Sequence, residues 1–287
     1  MAGERPSQLV LVVDVSPVHW GRLNAAAEES LSFTRCVENV CVFLNAFMMI
    51  NDGNKIAVLA SHPLENRFVY PTSNVPSDGV RYELFAALDK AVVDGMKAMA
   101  QKLTLHENVI ADGSPSLMAG SLAKALCYIN RTTQAGGQLQ SRILIVKVSP
   151  DAPAQYMATM NCIFGAQKNG IPIDACIIGP DSGFLQQASD LTGGMYLRVP
   201  EPKALLQYLM WVFLPDASIR NTLVFPSRAL VDYRAACFCH RKLVEVGFVC
   251  SVCLSIFCQF NPVCLTCNSR FRVPGLGAAK GKKKNVT

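Results

Sequence analysis

The chain has 287 residues, 51% of them apolar and 17% charged, which gives length for one large domain plus a small satellite and excludes a disordered or polyelectrolyte chain. The net charge of +6 is unevenly placed: residues 1–215 carry 16 Lys and Arg against 18 Asp and Glu, and residues 216–287 carry 11 against 3. Confinement of positive charge to the last quarter excludes a uniformly basic protein and points to two modules with different surroundings.

The apolar run Leu9 to Val13 is too short for a secretory core and is closed by Asp14. Within Gln8 to Val15 it predicts a central strand of a parallel sheet, buried on both faces. Apolar residues at Phe33, Cys36, Val37, Val40, Cys41, Leu44, Phe47 and Met48 predict a long amphipathic helix. The stretch Val40 to Ile50 is interrupted by Asn45 and is shorter than the roughly 20 residues of a membrane span, so no membrane association is expected. Lys55 to Ser61 reads as a strand, Pro71 to Gly79 as a loop, and Tyr82 to about Leu103 as a helix.

A further helix begins at Ser116, followed by a strand at Arg142 to Val148, a helix at Ala154 to Lys168 and a strand at Ile171 to Ile178. Ser182 to Leu191 is a short helix, Gly193 and Gly194 a turn, Met195 to Val199 an edge strand, and Lys203 to Phe213 a closing helix before Pro215. This alternation implies an α/β fold, a doubly wound and mostly parallel sheet with helices on both faces. The expected organisation is an α/β domain over 1–215, a connector over 216–232, a cysteine-rich module over 233–272 and a disordered basic tail over 273–287. No internal repeat is evident.

Five of the twelve cysteines are scattered in apolar runs, whereas Cys237, Cys239, Cys250, Cys253, Cys258, Cys264 and Cys267 fall within 31 residues. With no export signal expected, clustered cysteines read as metal ligands before disulfides. Cys250-x-x-Cys253 and Cys264-x-x-Cys267 are two knuckle pairs ten residues apart, able to present four thiolates to one tetrahedral zinc ion. Cys237, Cys239, His240 and Cys258 remain for a second zinc site or a cross-braced arrangement of the RING type, although Cys237-x-Cys239 is tighter than a usual knuckle. Either arrangement leaves the first set unchanged. A closed four-ligand site has no open position for water, so the expected role of zinc is structural. Phe248, Val249, Leu254, Ile256, Phe257 and Phe260 are unusually apolar for so small a module and divide between core and interface.

Catalytic signatures are missing: the chain has no Walker phosphate loop, no G-x-G-x-x-G after a strand and no G-x-S-x-G elbow. His62 and His106 fall in expected loops without an evident nucleophile. The one suggestive site is Asp14-Val15-Ser16-Pro17-Val18, whose oxygens at a strand's carboxyl end could hold magnesium. That Asp-x-Ser, a helix opening near Ser116, and Ile178-Gly179-Pro180-Asp181 followed by Leu185, Ala188 and Thr192-Gly193-Gly194 together resemble a von Willebrand factor A domain. The family's adhesion site uses Asp-x-Ser-x-Ser, a later Thr and an Asp after the next central strand. Here Asp14 and Ser16 match, Val18 replaces the second Ser, Ser116 stands for the Thr, and Ser149-Pro150 precedes Asp151. The resemblance therefore implies a degenerate site that binds magnesium weakly or not at all.

With the stretches AGSLAKALCYI, LLQYLMWVFLPD and YRAACFCHRKLVEVGFVCSVCLSIFC, nearly the whole chain resembles one family: the smaller von Willebrand A-like, zinc-binding subunits of the general transcription and DNA-repair factor TFIIH. The resemblance implies a non-catalytic core subunit of a nuclear complex acting in RNA polymerase II initiation and nucleotide excision repair. Its chief partner would be the second von Willebrand A and zinc-containing subunit, which regulates a helicase of the complex. Lys280, Lys282, Lys283 and Lys284 suit a solvated tail or nuclear import signal, with at most weak, nonspecific nucleic-acid contact. The alternatives are a nucleic-acid-binding zinc protein acting through Arg234, Arg241, Lys242, Arg270 and Arg272, or a RING-type ubiquitin ligase, which needs two zinc ions.

Overall fold

A computed structural model describes residues 6–26, 31–71, 81–101, 115–136, 139–220, 222–225, 231, 233–235, 237–240, 242, 244–253 and 255–271. The expectations for His106, Arg241, Leu254, Arg272, the basic tail and most of the Pro71 to Gly79 loop lie outside these residues. The chain divides into two compact units, Met1–Tyr233 and Arg234–Thr287.

In the first unit, strand β1 (Ser7–Asp14) is buried at all eight positions. It pairs in parallel with β2 (Lys55–Ser61) on one side and β4 (Gln140–Lys147) on the other. Helices cover both faces, which is why its sequence runs apolar without alternation. Leu9, Leu11 and Val13 enter the core beneath helices α2 (Phe33–Ile50) and α3 (Arg81–Gln101). Val10 and Val12 enter the opposite core beneath α4 (Met118–Gln134), α5 (Tyr156–Lys168) and α6 (Gly183–Thr192).

The sheet order is β3-β2-β1-β4-β5-β6, with β5 at Ile173–Ile177 and β6 at Tyr196–Arg198. The order reverses between β1 and β4, so the crevice beyond their carboxyl ends is the place where this class of sheet binds ligands. Strand β3 (Asn66–Tyr70) was not expected; it pairs antiparallel on the edge of β2, and its mixed, partly exposed residues carry no apolar run. Helix α1 (Pro17–Ala26) was likewise missed, because it begins three residues after the strand and has little apolar periodicity.

Helix α2 is longer and more continuous than the Val40 to Ile50 stretch suggested: 18 residues of mean hydropathy 1.3, enough by length and composition to cross a membrane. Cys36, Val37, Val40, Phe43, Leu44 and Phe47 are buried in the protein core instead. Ser32 caps its start by accepting the Arg35 N–H, and Asn45 donates to both carboxylate oxygens of Asp89 on α3. The expected closing helix is broken into a 3-10 turn (Pro202–Ala204), α7 (Leu205–Tyr208) and a π turn (Leu209–Phe213).

The segment expected as a connector opens with helix α8 (Ala217–Arg220) and is tied to the sheet. Arg220 donates bidentately to Asp174 at 2.7 and 2.6 Å, and Asp174 is fully buried. The buried Arg142 guanidinium lies 3.7 Å from the same carboxylate and donates to the carbonyls of Leu214 and Pro215. At the other end of α6, Gly193 is left-handed (φ 73°) and closes the helix, while a Cβ on Gly194 would stand 2.0 Å from the Ile173 carbonyl. In the second unit, β7 (Phe248–Val249) pairs antiparallel with β8 (Ile256–Phe257).

Candidate metal centres and the crevice at the switch point

The crevice holds Asp14, Ser16, Ser116 and Asp151, but every one of these side chains is already engaged. Asp14 Oδ1 accepts the Ser16 N–H at 3.1 Å; Oδ2 accepts the N–H groups of Val148 at 3.2 Å and Ser149 at 2.8 Å. The carboxylate thus fastens the ends of β1 and β4 together. Ser16 Oγ lies 2.8 Å from His19 Nδ1, and Ser116 Oγ lies 3.0 Å from Ser149 Oγ.

Asp151 accepts from Ser182 Oγ at 2.5 Å and from the Phe184 N–H at 3.2 Å, and it pairs with the ammonium of Lys147. Lys147 is buried, so a fixed cation already balances the acid that the adhesion-site pattern would offer to a metal. The cavity between Ser116, Lys147, Asp151 and Gln155 measures about 10 Å³, scarcely one water and far less than a magnesium ion with its usual waters requires. These residues do not fit a divalent cation. Asp14, read from sequence as a vestigial ligand, is a structural tie.

Asp14→Ala is accordingly expected to destabilise the first unit by about 3 kcal/mol, since it strands buried N–H donors, each worth about 1–3 kcal/mol. Chemical denaturation of the variant checks this, and an unchanged midpoint would refute the tie.

His19 has no sequence motif to announce it. It is buried, and its Nε2 has no hydrogen-bond partner among the described residues. Burial lowers its pKa below the usual 6.5, against the raising pull of Asp14 and with further lowering by Arg22 and Lys147. The fold therefore favours neutral imidazole. The resulting stability is complete above pH 6.5 and declines as pH falls from there toward the lowered folded value. Thermal melts between pH 7.5 and 5 should show a smaller acid-side loss for His19→Gln than for the native chain; parallel curves would contradict it.

In the second unit, the thiols of Cys250, Cys253, Cys264 and Cys267 converge with all ligand atoms within 4.8 Å of one another, and so do the ligand atoms of Cys237, Cys239, His240 and Cys258. The Cys250–Cys267 and Cys253–Cys264 sulfur separations are 3.7 and 3.6 Å. A tetrahedral ion with metal–sulfur bonds of about 2.3 Å would place its sulfurs about 3.8 Å apart, whereas a disulfide would bring them to about 2.05 Å. In the other set, Cys258 Sγ lies 3.4 Å from Cys239 Sγ and 3.2 Å from His240 Nδ1. Both donor sets fit a thiophilic tetrahedral metal.

The structure also reveals an internal repeat, contrary to expectation. Cys250 donates its N–H to the Ser255 carbonyl at 2.9 Å, its Sγ accepts the Cys253 N–H at 3.5 Å, and Ser255 Oγ lies 3.1 Å from Cys253 Sγ. Fourteen residues later, Cys264, Cys267 and Ser269 repeat all three interactions at 2.8, 3.5 and 3.1 Å. Cys237 closes the same five-residue turn onto the Lys242 carbonyl at 2.8 Å. The turn that opens at Cys237 is therefore in register with the other two, with His240 at the position of Cys253 and Cys267 and Cys239 an additional thiol within it.

Along the chain, Cys237, Cys239 and His240 of one cluster come first, then Cys250 and Cys253 of the other, then Cys258 of the first, and Cys264 and Cys267 complete the second. That interleaved order is the one a cross-brace requires. The buried cysteines of the first unit differ: burial pushes the Cys36 thiol up to about 12, and burial with the nearby Asp89 does the same for Cys41. Such thiols pack as small apolar groups.

Residues 6–268 match the model of the family described as transcription factor Tfb4. The chain is 41% identical to the general transcription and DNA repair factor IIH subunit tfb4 of Schizosaccharomyces pombe, covering 95% of this chain and 91% of that protein. It is 38% identical to subunit TFB4 of the corresponding factor from Arabidopsis thaliana, covering 98% and 95%. Among solved structures, the TFIIH p34 N-terminal domain superposes with a TM-score of 0.63 at 31% identity, covering 72% of this chain and 97% of that one.

Proposed function

Since the chain belongs to the Tfb4 transcription-factor family, we propose that it is a non-catalytic structural subunit of a TFIIH core complex, acting in the nucleus in RNA polymerase II initiation and nucleotide excision repair. Its chief partner is the second von Willebrand A and zinc-containing subunit. The observation that carries this reading is similarity to named subunits along almost the entire chain, both units included.

The site chemistry supports it. The switch-point crevice is filled by hydrogen bonds internal to the protein, leaving the first unit to act through its outer surfaces. Zinc is the metal assigned to both clusters, held by Cys250, Cys253, Cys264 and Cys267 and by Cys237, Cys239, His240 and Cys258. When bound it supplies folding free energy and cross-links, since four protein ligands fill its coordination. Seven thiolates with two zinc ions contribute −3, so the formal +8 of residues 216–287 falls to +5, still cationic but less suited to nucleic acid than the uncorrected value. The cross-brace is a folding device shared with RING modules and carries no ligase activity by itself.

Co-expression with the other core subunits, followed by plasma mass spectrometry of the purified complex, tests both parts. Co-purification with two zinc ions per chain, without stoichiometric magnesium, is the expected result. One zinc ion would remove the Cys237 set from the ligands, and failure to co-purify would overturn the subunit assignment. Acceleration of ubiquitin discharge from a conjugating enzyme would favour the ligase alternative.

A further inference from the structure

In the first unit, the end of α2, the start of β1, the π turn and α8 enclose a cavity of about 260 Å³. Phe47 contributes a buried wall. Ile50, Trp211, Ile219 and Leu223 also line the cavity but stand partly in solvent, with Trp211 78% exposed. The winding of Leu209–Phe213 buries Leu209, Val212 and Phe213 and leaves Trp211 outward; π turns of this kind are frequent at functional sites. Apolar residues exposed singly are ordinary surface composition, whereas these converge on one concavity.

Most polar groups of the wall are already engaged. Asn54 accepts the Ser7 N–H at Oδ1 and donates to the Phe47 carbonyl through Nδ2. The Leu214 carbonyl accepts from Arg142, and the Pro215 carbonyl from both Arg142 and Arg220. Asp216 differs: its Oδ1 accepts only a long bond from Ser7 Oγ, at 3.4 Å, and its Oδ2 has no hydrogen-bond partner among the described residues. Arg142 and Arg220 act electrostatically on both Asp174 and Asp216, so two positive and two negative charges balance beside the cavity. A neutral hydrogen-bond donor therefore complements Asp216 better than an ammonium or a second carboxylate.

Size separates a side chain from a free ligand. Pockets that enclose a small-molecule ligand measure about 300–1,000 Å³, more than this cavity offers, and a small molecule seated inside would leave Trp211 and Leu223 wet. Tryptophan and tyrosine join an apolar ring to one polar donor, and both are enriched among the interface anchors that fill pockets. We infer that this cavity is a socket for an aromatic side chain with an N–H or O–H donor, presented by an uncharged apolar segment of a protein partner. The donor is directed to Asp216 and the ring to Phe47 and Trp211. The inference rests on the reading of this chain as an interaction subunit and specifies one contact of its first unit.

The test uses the full-length, zinc-loaded chain. Three probes are titrated by nuclear magnetic resonance: indole, 1-methylindole, which keeps the ring but blocks the donor, and butylammonium. Indole should bind about tenfold more tightly than 1-methylindole, the worth of one hydrogen bond to a charged acceptor, and butylammonium should not displace it. Asp216→Ala should remove that preference. Leu223→Ser, at an exposed position, should weaken indole about fivefold with the melting curve unchanged. Hydroxyl-radical footprinting then compares Trp211 in the free chain and in the complex co-purified with the core subunits. The chain's other tryptophan, Trp20, is buried with its ring N–H bonded to the Asp14 carbonyl and serves as the internal reference. Oxidation of Trp211 should fall about tenfold on assembly, because an interface anchor site excludes water.

Equal binding of indole and 1-methylindole, tighter binding of butylammonium, or indifference of indole to both variants would each overturn the socket. Protection of Trp211 in the free chain would show the cavity filled from within the protein and would overturn it as well. A chain that joins the complex with Trp211 still open to oxidation loses the socket and keeps the subunit reading. A chain that selects indole through Asp216 but never joins the complex does the reverse.

Discussion

Asp174→Ala should destabilise the first unit by about 3–5 kcal/mol, the cost of removing one partner from a buried ionic network. Asp174 accepts both hydrogen bonds of the Arg220 fork and the Met195 N–H, and it is the nearest carboxylate to the buried Arg142. Its loss leaves the Arg142 and Arg220 guanidinium groups opposed only by the more distant Asp216. Burial already lowers the pKa of Arg142, with Asp174 opposing that shift. At about 2–4 °C per kcal/mol for a domain of this size, the melting temperature should fall by about 6–20 °C.

Arg220→Ala should cost less, because it removes a charge from the network rather than stranding two. Its measured loss should remain below that of Asp174→Ala. A circular dichroism melt of Asp174→Ala within a few degrees of the native chain would mean that water reaches these groups and screens them.

Cys264→Ser should abolish the fold of the second unit and leave the first unit's melting transition in place. Cys264 is fully buried, packs with Phe257 and Cys250, and opens one of the repeated knuckles. Structural zinc contributes about 10–16 kcal/mol of apparent free energy in small metal-held domains, far more than so small a core can replace. Because the ligand sets interleave, loss of one set should release the other, and zinc should fall from two ions per chain to none. Native mass spectrometry counts the metal, and limited proteolysis reports on the unit. Retention of one ion would show that the two sites fold independently; simultaneous loss of the first unit's transition would show that the division at Tyr233 is not a folding boundary.

The parallel strands were legible because residues buried on both faces of a sheet must be apolar in succession, as in Gln8 to Val15. Helices α2 and α6 were legible for the corresponding reason of period. Strand β3 escaped notice because an edge strand needs little burial, and α8 because what holds it is not a pattern within residues 217–220. Arg220 reaches Asp174 from 46 positions away, a relation no local window contains. The Cys250 and Cys264 pairs stood out by spacing, whereas the first turn of the repeat was hidden: Cys239 made it look like a Cys-x-Cys step until the Cys237 turn onto Lys242 showed where the repeat begins.

What the residue order determined by itself was the α/β alternation, the separation of two cysteine populations and the candidate ligands, because each depends on spacing along the chain. Tertiary structure decided the fate of those residues. It occupied Asp14 with three backbone N–H groups, placed the Lys147 ammonium against Asp151, and interleaved the two ligand sets. A carboxylate's availability depends on which donors the fold brings to its oxygens, and two of the three, the Val148 and Ser149 N–H groups directly after β4, lie more than 130 residues away in the chain.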